Sequence, residues 1–173
     1  MSKAFTREDD LPDPGTPRRL PSPLPPGAKN YVTPEGAKRL REELDGLIDK
    51  DRLQAAAAAA APGASERDPA LAERIHQLQE SLESAVIVSP PTGDVDTVRF
   101  GATVSVRSGA GGAGGGVTRY RIVGVDETDV EHGWISWVSP IAKALLSARV
   151  GDRVALQLPS GEKELEIVGI AYD

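Results

Sequence analysis

TPEGAKRLREELDGLIDK, residues 33–50, decides the fold. Thr33-Pro34 is a helix start: a hydroxyl able to cap the first free N–H groups, then a proline at the first helical position. From there Ala37, Leu40, Leu44 and Leu47 recur at alternating steps of three and four, the single apolar seam of a coiled coil. Carried on, the seam reaches Asp51 and Gln54 and fades. The run Ala55 to Ala61 keeps the helix going by propensity, with little side chain to bury. Pro62-Gly63 ends it. Asp68-Pro69 repeats the start signal, and Leu71, Ile75, Leu78, Leu82 and Ala85 form a second seam. Two single-seam helices joined by a short turn predict an antiparallel hairpin. At 1.5 Å per residue, Pro34 to Ala61 spans about 42 Å and Pro69 to Val86 about 27 Å. The poly-alanine end of the first helix should therefore be unpaired or frayed. Leu44 and Leu47 are expected against Leu78 and Leu82, with Leu40 near Leu82 or Ala85.

On either side of the hairpin the composition changes. Residues 1–32 hold seven of the 14 prolines and little apolar periodicity. Such a segment buries too little to offset its ordering entropy and reads as a disordered leader. Residues 95–173 alternate with period two in ATVSVR (102–107), TRYRIVGV (118–125), WISWV (134–138), RVALQL (153–158) and KELEIVGIAY (163–172). These are strands. Val104 and Val106 should face inward, as should Ile135 and Trp137, with Trp134 outward. Ser139-Pro140 starts one short helix, whose Ile141, Ala144 and Leu145 are expected to cover the sheet. The fold class is therefore α+β. The divisions are a leader at 1–32, a hairpin at 33–89 with its tip at 62–68, a linker at 90–94, and a globular domain at 95–173.

Composition removes several function classes. Among 173 residues there is no Cys, which excludes thiolate catalysis, a disulfide framework and cysteine-bound zinc. A formal charge of -6 does not suit a free-standing nucleic-acid binder that works by phosphate neutralisation. No apolar run reaches the roughly 18 residues that span a membrane. The first ten residues contain no apolar signal-peptide core, so a cytoplasmic location is expected.

The remaining motifs are modest. Gly109 to Gly114 formally spells G-x-G-x-x-G, but a strand follows where a dinucleotide fold needs a helix, so a hairpin loop is expected. His76 points off its seam and reads as solvated. His132 sits in a turn near Asp126, Glu127, Asp129 and Glu131, where a cation site is conceivable, although acidic turns are common without one. At the hairpin tip, Glu66 and Asp68 are the carboxylates a rod would present. The plain reading makes Asp68 a helix cap and Glu66 a solvated turn residue. The functional reading has them deliver oxygen ligands to a partner's Mg²⁺.

VRFGATVSV (98–106), RYRIVGVDE (119–127), WISWVSPIAKALL (134–146), VGDRV (150–154) and PSGEKELEIVGIAY (159–172) resemble, in order and spacing, the GreA/GreB family of bacterial transcript-cleavage factors. YVTPEGAKRLREELDGL (31–47) is similar to the start of that family's coiled coil, and LESAVIV (82–88) to its end. MSKAFTREDDLPD with LPPGAKNYVTPEG resembles the GreB branch. The resemblance implies an N-terminal antiparallel coiled coil and a C-terminal FKBP-like antiparallel sheet with one short helix. It also implies a partner, RNA polymerase, on whose secondary channel the globular domain docks while the coiled coil enters. Active members carry a tip of the kind G-D-x-S-E-N-A-D/E-Y, whose acidic residues help the polymerase hold a second Mg²⁺ and hydrolyse backtracked RNA. Here the tip reads Gly63-Ala64-Ser65-Glu66-Arg67-Asp68, without the Asp after the glycine, and the hairpin is shorter by roughly three turns. The docking loop resembles the family's at Ser139 and Pro140, but Val138 stands where an acidic residue is frequent.

Together these readings predict an elongation factor that binds polymerase through Val138, Ser139, Pro140, Ile141 and Lys143 and modulates backtracked or paused complexes with weak or no cleavage stimulation. Glu66 and Asp68 are the candidate catalytic carboxylates. The factor is expected to be no enzyme itself, to act as a monomer, and to hold no cofactor or metal of its own beyond sharing the polymerase's Mg²⁺. It is expected to meet nucleic acid only through the polymerase complex and to have no membrane partner. The alternatives are an active cleavage factor, a peptidyl-prolyl isomerase suggested by the FKBP-like domain, and a chaperone-like coiled-coil module.

Overall fold

A computed structural model describes residues 24–60, 68–92, 95–108, 116–158 and 161–172. The two helices are α1, Pro34–Ala60, and α2, Pro69–Ser84. Leu40 and Leu78 are buried together with Ala37 and Val32, and Leu44, Leu47, Leu82 and Ala85 pack around them. The Arg74 guanidinium meets the Glu43 carboxylate at 2.7 Å. Glu43 lies three residues after Leu40 and Arg74 four before Leu78, so the helices run antiparallel with Leu40 level with Leu78. That is about one turn from the expected level of Leu82 and two from that of Ala85, so the expected pairing of Leu44 and Leu47 with Leu78 and Leu82 is shifted as well. In this register α1 passes the start of α2 near residue 48 and continues for about 17 Å. Leu53, on that overhang, is 72% exposed.

Residues 30–32 and 85–87 depart from expectation. Asn30–Val32 is a strand, β1, and Ala85–Ile87 is a second, β2, paired in parallel with Asn30 opposite Ala85 and Val32 opposite Ile87. The leader therefore stops short of residue 30, and α2 ends before Ala85. Local composition could not show this pairing, because its partners lie 55 residues apart. Val32 is fully buried, and Asn30 Nδ2 donates to the Ser81 carbonyl (3.1 Å) and to Ser84 Oγ (3.3 Å).

The second layer is a five-stranded sheet of β3 (Thr103–Ser108), β4 (Val117–Val123), β5 (Trp134–Ser136), β6 (Arg153–Leu158) and β7 (Gly161–Ala171), in the order β5-β4-β3-β7-β6. The expectation of an antiparallel sheet holds except at one edge, where β5 runs parallel to β4. A 3-10 turn at Val125–Glu127 and a reversal closed by mutual Asp129–Trp134 backbone bonds turn the chain twice before β5. The short helix α3, Pro140–Leu145, covers the sheet.

Val104 and Val106 face the core as expected, beside Ile122, Leu156, Leu165, Ile167, Ala142 and Leu145. On β7 the apolar residues step from Ile167 to Ile170, three apart, which breaks strict alternation. The backbone absorbs the extra residue as a bulge: Ser105 pairs Gly169 and Val106 pairs Ile167, so Ile170 returns to the core side opposite Val104. Ile135 and Trp137 pack against this core and Trp134 does not, although the strand stops at Ser136. On α3 the expected face is slightly rotated. Ala142, not Ala144, is buried with Leu145, because residue 145 lies between 141 and 142 around the helix axis.

Candidate functional site

Two regions carry the expected site residues. The first is the rod end. Asp68 caps α2: its Oδ1 accepts from the Ala70 N–H at 3.0 Å, and Pro69 follows at the first helical position. Glu66 and Ala64 lie outside the described residues, so no pairing of Glu66 with Asp68 is described.

The second is the turn into α3. Ser139 is its cap, with Oγ accepting from the Ala142 N–H at 3.2 Å. Val138 donates its N–H to Ser136 Oγ at 3.3 Å and is half-buried. Pro140 and Lys143 face solvent, and Ile141 leans on the core. The structure thus brings Val138, Ser139, Pro140, Ile141 and Lys143 into one short stretch of surface. It is held from behind. The Trp137 N–H donates to the Val123 carbonyl at 2.9 Å, and the Trp137 ring meets Tyr31 edge-on at 5.2 Å between centroids. Tyr31 in turn meets Phe100 at 5.8 Å. The loop therefore rests on aromatic residues contributed by β1 and by the turn before β3.

The acidic turn near His132 is dispersed. Asp129 pairs with His132 at 3.0 Å and also receives the Glu131 N–H. Glu127 points the other way and is buried. Among the described residues no group of three or more His, Cys, Asp and Glu is placed to hold a metal. Gly109 to Gly114 lies outside the described residues, but β3 before it and β4 after it pair antiparallel, which is a hairpin connection. His76 lies beside Glu80 on an exposed face of α2. No helix among the described residues is long and apolar enough to cross a membrane.

Sequence reasoning missed the joint between rod and sheet. Glu127 is 2% exposed. Its Oε2 accepts the Thr33 N–H at 2.9 Å and the Gly124 N–H at 2.8 Å, and its Oε1 accepts the Thr33 hydroxyl. The same hydroxyl oxygen accepts the Gly36 N–H at 2.9 Å, so the carboxyl group reaches into the cap of α1. A Cβ at Gly36 would overlap this carboxyl, and one at Gly124 would overlap the Tyr31 carbonyl. Around this centre, Ser81 Oγ donates to Asp126, and Arg121 pairs with Glu35 at 2.8 Å. The Arg39 guanidinium stacks over Trp134 at 4.3 Å from the ring centre. The available signal was two glycines, Gly36 inside a helix and Gly124 before an acidic pair, each where a side chain would otherwise be favoured.

Residues 92–172 match the family model described as transcription elongation factor GreA/GreB, C-terminal. A transcription elongation factor GreB from Neisseria meningitidis serogroup A is 38% identical over 158 residues, 83% of this chain and 94% of that protein. The GreB of Xanthomonas axonopodis pv. citri is 40% identical over 163 residues, 86% of this chain and 95% of that one. Among solved structures, GreA factor homolog 1 (Gfh1) of Thermus thermophilus is 25% identical, covering 83% of this chain and 99% of its own, with a TM-score of 0.37.

Proposed function

Because the chain belongs to the GreA/GreB family of transcription elongation factors, we propose that it docks on RNA polymerase through the α3 turn and sends its rod into the secondary channel. There it modulates backtracked or paused complexes with weak or no stimulation of RNA cleavage. The observation that carries this reading is the contrast between the two regions. The α3 turn is exposed at Pro140 and Lys143 yet fixed from behind by Trp137, Tyr31 and Phe100, so little conformational freedom is lost on binding. At the rod end, one oxygen of Asp68 is committed to capping α2. Mg²⁺ demands near-octahedral geometry at about 2.0–2.1 Å, and Ala64 stands where the tip pattern of active members carries a second acidic residue to help supply it.

In this reading the chain performs no reaction of its own. Mg²⁺ and the hydrolytic water belong to the polymerase, and the rod acts by occupying space near them. The factor works as a monomer and meets nucleic acid only inside the polymerase complex.

The test is a stalled, backtracked elongation complex. This protein alone should release little short RNA, and it should slow cleavage by an authentic Gre factor in proportion to its concentration. Robust cleavage by this protein alone, abolished by Glu66→Ala or Asp68→Ala, would establish an active cleavage factor instead. Absence of both binding and competition would remove the docking reading.

A further inference from the structure

From the joint we infer that Glu127 is a positioning residue: its buried carboxyl group fixes the direction in which the rod leaves the globular domain. Three donors converge on it from two bodies. Thr33 supplies its N–H and hydroxyl from the cap of α1, and Gly124 supplies its N–H from the end of β4. The Thr33 N–H lies outside the helix ladder, because the first N–H groups of a helix have no partner within it. Glu127 therefore satisfies groups that would otherwise be buried and unpaired, and satisfies them only in one relative placement of helix and sheet.

Other contacts cross the joint as well: Ser81 Oγ donates to Asp126, and Tyr31 of β1 packs on Trp137 and Phe100. Glu35 in the pair with Arg121 has a side chain 67% exposed, and exposed ion pairs constrain little. Arg39 over Trp134 is a single cation–π contact at 4.3 Å from the ring centre. Gly36 and Gly124 complete the case, since the helix and the strand end approach so closely that neither position has room for a Cβ. Gly36, the third residue of α1, is otherwise a poor helix former. Its presence follows from the carboxyl group lying where its side chain would go.

The inference concerns the free protein. Its consequence for polymerase, that the rod arrives already aimed, rests on the proposed docking. The chain has no cysteine, so labels attach only where cysteines are introduced. Lys50→Cys on α1 and Lys163→Cys on β7, both exposed, carry spin labels for pulsed electron–electron distance measurement. With Glu127 present the distance distribution should be single and narrow. Glu127→Ala should shift and broaden it while the far-ultraviolet circular dichroism keeps the wild-type helix and strand signal. Glu127→Gln, which keeps one acceptor oxygen, should fall between. Gly36→Ala, which displaces the carboxyl group without removing it, gives a second route to the same result if Glu127→Ala does not fold. Unchanged narrow distributions in Glu127→Gln and Gly36→Ala would overturn the inference. Failure of the polymerase competition assay with the wild type would remove the docking reading and leave the distance result standing.

Discussion

Two glycines of the same helix should respond to alanine with opposite signs. Gly46 lies on the exposed face of α1, and a Cβ there meets nothing within 4 Å. Gly46→Ala should therefore stabilise the protein by about 0.5–1 kcal/mol, the ordinary helix-propensity gain. Gly36→Ala carries the same gain, but its Cβ overlaps the Glu127 carboxyl. If that side chain moves away, the Thr33 and Gly124 N–H groups lose their acceptor in a buried site. Each such loss costs about 1–3 kcal/mol. Two losses less the propensity gain leave a net destabilisation of about 1–5 kcal/mol. Urea unfolding followed by far-ultraviolet circular dichroism reads this directly, as a midpoint raised for Gly46→Ala and lowered for Gly36→Ala at constant slope. Equal stabilisation by both substitutions would mean that Glu127 moves aside at no cost and that the three hydrogen bonds contribute nothing.

Other outcomes follow from the sheet and the α3 turn. Leu145 is fully buried under the sheet, and Leu145→Ala should cost about 2–5 kcal/mol in the same urea measurement. Ser139→Ala removes the α3 cap at a cost of about 1 kcal/mol and should weaken polymerase binding measured by competition, whereas Thr118→Ala, on exposed β4 surface, should do neither. The Tyr172 hydroxyl donates to the Thr97 carbonyl and accepts the Arg99 N–H, and burial raises its pKa above the ordinary value near 10. The fold favours the neutral phenol. Its contribution should be complete below about pH 10 and be lost as pH rises beyond that, so wild type should lose more stability than Tyr172→Phe over the alkaline range.

The elements that announce themselves in the sequence are those whose signal is local and periodic. The Leu40–Leu44–Leu47 seam, the Ser139-Pro140 start and the Val104–Val106 alternation each repeat within a few residues, and the structure bears all three out. Residues 163–172 read as plain alternation in the sequence, and the step from Ile167 to Ile170 acquires its meaning only from the strand pairing, where a bulge absorbs it. The parallel β1–β2 pair, the parallel edge β5 and Glu127 were not legible. Each depends on a partner brought in by the chain's path rather than by its local pattern. Glu127 is instructive because composition pointed the wrong way: an acidic residue among Asp126, Asp129 and Glu131 looks solvated, yet its two oxygens are taken by Thr33, 94 residues earlier, and by Gly124.

The parallel β1–β2 pair gives the rod a common origin for both its arms. The chain leaves the base at Val32 and returns at Ala85, on neighbouring strands. Everything between is an excursion that starts and ends in one place, so its length is uncoupled from the base. Equal numbers of turns can be added to or removed from α1 and α2 while the strands, the Thr33 cap and the Asn30 bonds to Ser81 and Ser84 stay as they are. Unequal changes accumulate only at the far end, where α1 already runs past α2. The rod behaves as a ruler with a fixed zero, and homologous rods of different reach can share one base without any compensating change in the sheet.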